Sequence, residues 1–157
     1  MSAPLVRVQA EPFDAAREEA RLRDGRRDVG AILSFTGLCR DEDGPKDGPL
    51  AALEIEHYPG MAEAEIARVA RAALARWPLL GLTVIHRFGM IRPGEKIVLV
   101  VAAARHRGEA FAAAEFLMDY LKTSAPFWKK EHRADGSAGD WVEAKAADDA
   151  ATLRWEK

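Results

Sequence analysis

Apolar residues recur along the chain with two different periods, which predict strands and helices. The alternating segment VRVQ near the start predicts a short strand. The apolar run at residues 29–37 has the length and the β-forming residues of a buried strand. Residues 52–58, ALEIEHY, alternate apolar positions with glutamates and predict a half-buried strand.

Two helices are predicted between these strands and after them. Asp14 is a suitable N-cap for the first helix, and Gly25 is a suitable stop. The second helix follows a Pro-Gly turn at residues 59–60 and ends before Pro78. Its apolar positions form one face, made of Ile66, Val69, Ala70, Ala73, Leu74 and Trp77. The second helix is therefore predicted to be amphipathic.

The second half of the chain contains a predicted hairpin and a third helix. Residues 82–89 and 96–104 are strand-like, and Pro93 and Gly94 between them suit the centre of a tight turn. Gly108 opens a helix whose apolar stripe consists of Phe111, Ala114, Leu117, Met118 and Leu121. Helices and strands thus alternate irregularly, with at least one antiparallel pair. This order favours an α+β fold over a doubly wound parallel sheet.

Composition excludes several classes of protein. A chain of 157 residues, 48% hydrophobic and 31% charged, fits a single globular domain over residues 1–157. A net charge of -2 provides no global basic field for nucleic acid. No apolar run approaches the roughly 20 residues that cross a bilayer, and no secretory signal is visible, so we expect a cytoplasmic location. Cys39 alone excludes an internal disulfide and a multi-cysteine metal site.

Residues 41–49, with the sequence DEDGPKDGP, combine glycine, proline and charge. They offer almost nothing apolar to bury, so we expect a mobile loop. Because the loop directly follows Arg40, it acts either as a flap over whatever Arg40 faces or as a plain surface connection.

The stretch DYLKTSAPFWKKE carries a candidate for chemistry. Lys122 lies in the last turn of the third helix, and Pro126 cannot continue that helix. The break allows Lys122 and Lys129 to converge across a corner filled by aromatic residues. In the alternative interpretation both lysines lie in solvent near the helix C-terminus, where cations are favoured.

Two other basic segments end predicted strands. Arg40 follows the buried strand at residues 29–37, and His106 and Arg107 lie where the third helix begins. Backbone N–H groups at a helix N-terminus bind anions, and a guanidinium strengthens such a site. If these ends meet the two lysines, the pocket would hold a phosphate or a carboxylate. Otherwise each basic residue is a separate surface charge.

The cysteine and the histidines admit less chemistry. Cys39, beside Arg40, is either an activated thiolate able to relay sulfur or a small buried residue. His57 and His86 fall on predicted strands, where packing or a structural hydrogen bond is favoured. Together with His106 and His132 they show no metal-ligand spacing.

Several segments together resemble one known family. They are GAILSFTGLCR, LEIEHYPGM, VIHRFGMIRPGE, the His106-Arg107 pair, and FLMDYLKTSAPFWKKE followed by WVEA. In this order they cover about residues 29–144 and are similar to the large, catalytic subunit of molybdopterin synthase. The resemblance implies an α/β hammerhead-type fold, with an antiparallel sheet and flanking helices.

The resemblance also implies an activity and its partners. A homodimer of this subunit would bind a small ubiquitin-like sulfur-carrier subunit at each end, forming a heterotetramer. The carrier's C-terminal Gly-Gly thiocarboxylate would donate two sulfurs in succession to cyclic pyranopterin monophosphate, giving molybdopterin. No metal or organic cofactor is implied for this step. The alternative is a non-catalytic module that binds an anionic ligand or a ubiquitin-like partner.

Matched position by position, the resemblance places the catalytic roles on Lys122 and Lys129. The substrate-binding positions are Leu38, Cys39, Arg40, His106, Arg107, Lys130 and Glu131. Phe35 and Met118 would line the pocket, and Lys145 would be a contact across the dimer. Leu38 replaces an expected lysine, and Lys145 replaces an arginine that relatives often carry, which loses bidentate phosphate geometry. Both departures bear on substrate affinity rather than on chemistry.

Overall fold

The computed structural model describes residues 3–41, 49–141 and 146–156. Its elements are β1 (Leu5–Gln9), α1 (Ala15–Arg23), β2 (Ala31–Leu38), β3 (Leu50–His57), α2 (Met61–Arg76), β4 (Leu79–Arg87), β5 (Gly89–Ile91), β6 (Lys96–Ala104), α3 (Arg107–Thr123), β7 (Phe127–Arg133) and α4 (Ala146–Leu153). The strands form two sheets, ordered β1-β4-β6-β2 and β5-β3-β7. The predicted α+β class is confirmed. Most of the predicted loop, residues 42–48, and Lys145 lie outside the described residues.

The four-stranded sheet is mainly antiparallel. β6 pairs antiparallel with both β4 and β2, which confirms the predicted hairpin. At its turn the N–H of Glu95 donates to the carbonyl of Arg92 over 3.0 Å, and Gly94 has a positive φ of 88°. One pair departs from the predicted antiparallel sheet, because β1 runs parallel to β4. The short strand β5 inside the hairpin connection was also not predicted.

Helices cover both faces of this sheet. On one face α2 and α3 bury Ile66, Val69, Ala113 and Leu117 against Val84, Val100 and Ala102 of the sheet. On the other face Phe13 and the start of α1 cover Ile85, Leu99 and Val101. The predicted N-cap of α1 is confirmed, since the backbone N–H of Arg17 donates to Asp14 over 3.2 Å. No helix in the described ranges is long and apolar enough to cross a membrane.

The buried face of α3 differs from the predicted stripe at one position. Phe111 is 60% exposed, so its assignment to the apolar face was wrong. The buried positions are Ala110, Ala113, Ala114, Phe116, Leu117 and Leu121. This face is centred on small alanines that let the helix approach the sheet closely, and Phe111 points away from it.

The joint at Pro126 connects α3 to a strand that the sequence pattern did not reveal. The N–H of Ser124 donates to the carbonyl of Tyr120 over 2.7 Å and ends the helix. The N–H of Phe127 then donates to the carbonyl of Ala125 over 2.8 Å, which closes a three-residue turn around Pro126. Because proline fixes its own φ near the value that this turn needs, the joint is rigid. The chain continues as β7, antiparallel to β3.

Candidate active site

The predicted catalytic lysines, Lys122 and Lys129, lie near the N-terminal end of β6. Only two residues separate β6 from α3, so the helix turns back along the sheet, and its 17 residues extend about 25 Å at 1.5 Å per residue. Lys122, in the last turn, is thereby returned to the end where β6 begins. At this end β2 stops at Leu38, which pairs with Lys96, and β4 reaches His86, which pairs with Val98.

Lys122 and Lys129 converge on the buried imidazole of His86. The ring of His86 stacks on Phe127, with centroids 3.8 Å apart and planes inclined by 16°. The pKa of His86 is lowered to about 3, mainly by burial, and the positive charges of Lys129 and Lys122 contribute to this shift. Both ammonium groups therefore lie within electrostatic range of one ring, although they come from a helix and a strand on opposite sides of the Pro126 joint.

The two lysines differ in exposure. Lys129 is half-buried and shares the inner face of β7 with Phe127, because its partner on β3 is Ile55, which is completely buried. Lys122 is exposed in the isolated chain. The alternative interpretation, in which both lysines lie in solvent, is thus correct about the exposure of Lys122. The charges of both lysines nevertheless lower the pKa of the same buried ring, that of His86.

A row of residues across the sheet forms the floor of this site. Gly37 on β2, Val98 on β6 and His86 on β4 lie in register, so their positions face the same side. A Cβ added at Gly37 would lie 2.6 Å from Cγ1 of Val98, which is why glycine fits here. Phe35, two residues earlier on β2, faces the same side and is 41% exposed. Met118 packs on the adjoining core one turn before Lys122. Both predicted lining residues therefore border the site.

Cys39 is a buried structural residue at the end of β2. It is only 3% exposed, and its N–H donates to the carbonyl of Glu95 over 2.8 Å. Burial raises the pKa of its thiol, and the negative charges of Glu95 and Asp41 add to this, against an opposing effect of Lys129. These findings agree with the small-buried-residue interpretation and argue against an activated thiolate. Leu38 and Arg40 on either side are exposed.

His106 and Arg107 lie at the opposite end of the sheet. β6 runs from Lys96, beside the end of β2, to Ala104, which is a distance of about 26 Å at 3.3 Å per residue. Both residues are exposed, and His106 makes no side-chain cap bond to α3. The expectation that these residues meet Arg40 and the lysines is therefore wrong within one chain. The antiparallel register of β2 and β6 separates the two strand ends.

Alternation along β7 divides the remaining predicted residues. Lys130 points to the face opposite Lys129, where its ammonium lies 5.3 Å from the ring centroid of Trp141. Glu131 shares the inner face with Lys129, and its carboxylate accepts a hydrogen bond from Arg133. Lys130 is thus not brought to the site, whereas Glu131 is.

Two features of the site were not predicted from the sequence. His86 was predicted to serve packing or a structural hydrogen bond, and its bond to the Arg87 carbonyl agrees with that, but its place beside the two lysines was not predicted. The carboxylates of Asp41 and Glu95 were not expected near Lys129 and Cys39. Among residues 3–41, 49–141 and 146–156, no group of three or more histidine, cysteine or acidic side chains is placed to hold a metal ion.

Comparisons with known proteins agree on one family. The model of the family described as MoaE protein matches residues 8–124. A molybdopterin synthase catalytic subunit from Mesorhizobium japonicum is 67% identical over 98% of this chain and 94% of its own length. The MoaE protein structure from Burkholderia ambifaria has a TM-score of 0.81 and 44% identity, covering 98% of this chain and 99% of that one. Molybdopterin synthase from Staphylococcus aureus has a TM-score of 0.75 and 28% identity, covering 90% and 98%. This chain belongs to the MoaE protein family.

Proposed function

We propose that this chain is the catalytic subunit of a molybdopterin synthase. It transfers two sulfurs, from the thiocarboxylated C-terminus of a small ubiquitin-like carrier subunit, to cyclic pyranopterin monophosphate in the cytoplasm. The observation that carries the proposal is the convergence of Lys122 and Lys129 on His86, at a sheet end bordered by Phe35. The name shared by the relatives, catalytic subunit, fits an enzyme with more than one kind of chain.

The chemistry of the transfer explains why two lysines are needed. Sulfur transfer from a thiocarboxylate develops negative charge on sulfur and oxygen while the substrate phosphate remains anionic. Cations held in fixed positions stabilise that charge as it forms. Lys129, half-buried on a strand, is the better-fixed group and would orient the carrier's terminal carbonyl. Lys122, which is exposed, would act as acid or base or bond transiently to substrate, and Arg40 would hold the phosphate.

In a homodimer, His106 and Arg107 of one copy can reach the lysine site of the other copy. In their own chain they lie beyond the end of β6 that is opposite Arg40, and β6 is about 26 Å long at 3.3 Å per residue. A second copy related by a two-fold axis can present its own helix N-terminus to this site, and Lys145 would act across the same interface. In this arrangement each site combines Lys122 of one copy with Arg107 of the other.

Mixed dimers test this arrangement. Dimers formed at random from Lys122→Ala and Arg107→Ala chains would regain about a quarter of the wild-type activity, because half of them contain one intact site. If both residues serve the site of their own chain, every site in the mixture is defective and no activity returns.

The catalytic assignment is tested in a reconstituted assay with purified carrier thiocarboxylate and precursor. We expect Lys122→Ala to lower turnover at least a hundredfold, roughly the contribution of a general acid or base, while the protein stays folded. Lys130→Ala is the matched control, because that lysine lies on the other face of β7, and it should retain nearly normal turnover. Near-normal turnover of Lys122→Ala would refute the assignment.

The two remaining interpretations predict different results in the same assay. A non-catalytic module would bind the carrier or a phosphate ligand and yield no product in a single turnover. A persulfide relay through Cys39 would be lost in Cys39→Ser. We expect that variant to retain full activity, because the thiol is buried and its pKa is raised by burial.

A further inference from the structure

His86 is a buried polar side chain to which the proposed chemistry gives no direct part. It is 7% exposed and lies near the end of β4. Its Nδ1 is 2.8 Å from the carbonyl oxygen of Arg87. A carbonyl only accepts hydrogen bonds, so Nδ1 carries the proton and Nε2 carries the lone pair. The ring is neutral at ordinary pH because burial, with the neighbouring positive charges, lowers its pKa to about 3, and the bond to the Arg87 carbonyl fixes the tautomer of that neutral ring.

The charged groups around this ring favour the neutral form. Lys129 on β7, Lys122 on α3 and His57 on β3 all act against protonation of His86. The side chain of Arg87, the next residue, bonds to the carbonyls of Ala10 and Lys96 instead. A neutral imidazole lets two ammonium groups approach the same place, whereas an imidazolium would add a third positive charge beside them.

The ring also connects the two sheets at a position that matters for Lys129. Phe127 is the first residue of β7, immediately after the rigid turn at Pro126. Near-parallel stacking on His86 fixes both the position and the tilt of its ring. Lys129 follows two residues later on the same face of the strand, so the orientation of Phe127 constrains where the lysine side chain enters the site.

We propose that His86 is a positioning residue for Lys129: its neutral ring, anchored to the Arg87 carbonyl, holds Phe127 and thereby aims the lysine at the reacting group. This inference rests on the proposed function, because it takes Lys129 as a group that acts on the carrier's carbonyl. His86 itself transfers no proton and contacts no substrate.

Ring replacement separates this role from simple packing. In His86→Leu the stack is lost, and we expect kcat to fall about tenfold to a hundredfold, since misplacement of a catalytic group by about 1 Å has an effect of that size. The KM values for carrier and precursor should stay within about twofold, because Lys122 and Arg40 remain in place. His86→Phe keeps a flat neutral ring and should restore kcat to within about threefold of wild type.

Two further variants complete the set. His57→Leu is the matched control, because the His57 ring lies 6.3 Å from Phe127 rather than 3.8 Å, and it should change kcat by less than about threefold. Phe127→Leu removes the same stack from the other side and should reproduce the loss seen in His86→Leu. It keeps the test decisive where His86→Leu does not fold.

The pH profile of kcat distinguishes positioning from proton transfer. If His86 only positions Lys129, kcat of His86→Leu should be lower at every pH and the shape of its pH profile should not change. In His86→Phe, kcat should return towards the wild-type value at every pH. Three results would each overturn the proposal. The first is an equal loss of kcat in His86→Leu and His86→Phe, and the second is the loss of one limb of the pH profile in His86→Leu. The third is an unchanged kcat in folded His86→Leu and Phe127→Leu. Lys129→Ala is measured in parallel. Full turnover in Lys129→Ala rejects the proposed function of that lysine, whereas its loss beside a fully active His86→Leu rejects only the inference about His86.

Discussion

The C-terminal residues Arg154 and Trp155 fasten the end of the chain to α2 and α3, and removal of the Trp155 side chain should be strongly destabilising. The indole Nε1–H donates to Asp119 over 2.6 Å. The indole ring also meets Trp77 and Phe116 edge-on, with centroids 5.7 and 5.6 Å apart, and the guanidinium of Arg76 lies 5.7 Å from it.

The size of the effect follows from these contacts. Two aromatic pairs contribute about 1 kcal/mol each, the hydrogen bond about 1 kcal/mol, and the exposed cation–π contact about 0.5 kcal/mol. Their sum, about 3.5 kcal/mol, lies within the usual range for replacing a packed tryptophan by alanine. For a chain of this length the melting temperature should fall by about 7–14 °C.

Thermal and urea unfolding of Trp155→Ala measure this loss. Leu153→Ala is the matched control, because Leu153 ends α4 two residues before Trp155 and is 58% exposed, so its loss should be below about 0.5 kcal/mol. A loss below about 1 kcal/mol in Trp155→Ala would show that the C-terminal contacts do not hold α2 and α3 together. These residues lie beyond residue 124, where the family match ends.

Two other perturbations have calculable effects. In Gly30→Ala the new Cβ would lie 2.1 Å from the backbone oxygen of Arg105, so the free energy of unfolding measured in urea should fall by about 3 kcal/mol. Gly81→Ala is the control, because its Cβ would meet only the side chain of Leu22 at 2.8 Å, and its free energy of unfolding should fall by about 1 kcal/mol. His86 has a pKa of about 3 when folded and an ordinary value near 6.5 when unfolded, so the unfolded chain binds the extra proton and stability is lost as pH falls below 6.5. Between pH 7 and pH 5 the wild type should lose about 2 kcal/mol more than His86→Phe, and equal losses would contradict the buried neutral ring.

Local features of the fold were predictable because each depends on a few neighbouring residues. The cap at Asp14 and the turn at Pro93-Gly94 follow from side-chain and backbone preferences that act over three or four positions. The break at Pro126 was predictable for the same reason. Convergence of the two lysines followed from that break together with the resemblance.

Features that depend on distant pairing were not predictable from local pattern. β7 has charged residues on both faces, so its sequence does not alternate apolar with polar, and only its pairing with β3 makes it a strand. The parallel contact between β1 and β4 joins segments far apart in the chain. Likewise, Arg40 and His106 both follow strands, but the antiparallel register of those strands sends them to opposite ends.

The charge of the site is shaped by carboxylates as well as by cations. Glu95 lies 3.2 Å from the guanidinium of Arg87, and Glu131 accepts a hydrogen bond from Arg133. Asp41 accepts from the backbone N–H of Leu50 over 3.0 Å. Each carboxylate therefore has a donor of its own, which weakens its attraction for the neighbouring lysines.

From this arrangement we propose that the two lysines serve different parts of the reaction. Lys129 lies on the inner face of β7, near Glu131 and Cys39. A highly charged phosphate placed beside Lys129 would therefore also approach carboxylates. Lys122 and Arg40 are exposed at the same end of the sheet and offer positive charge on the open side. The phosphate of the small-molecule substrate is better accommodated there, whereas the extended, singly charged tail of a carrier can reach the half-buried Lys129. In this proposal the two substrates approach from the open side and from the strand side. The rigid turn at Pro126 would keep the two lysines at a fixed separation while the substrates react.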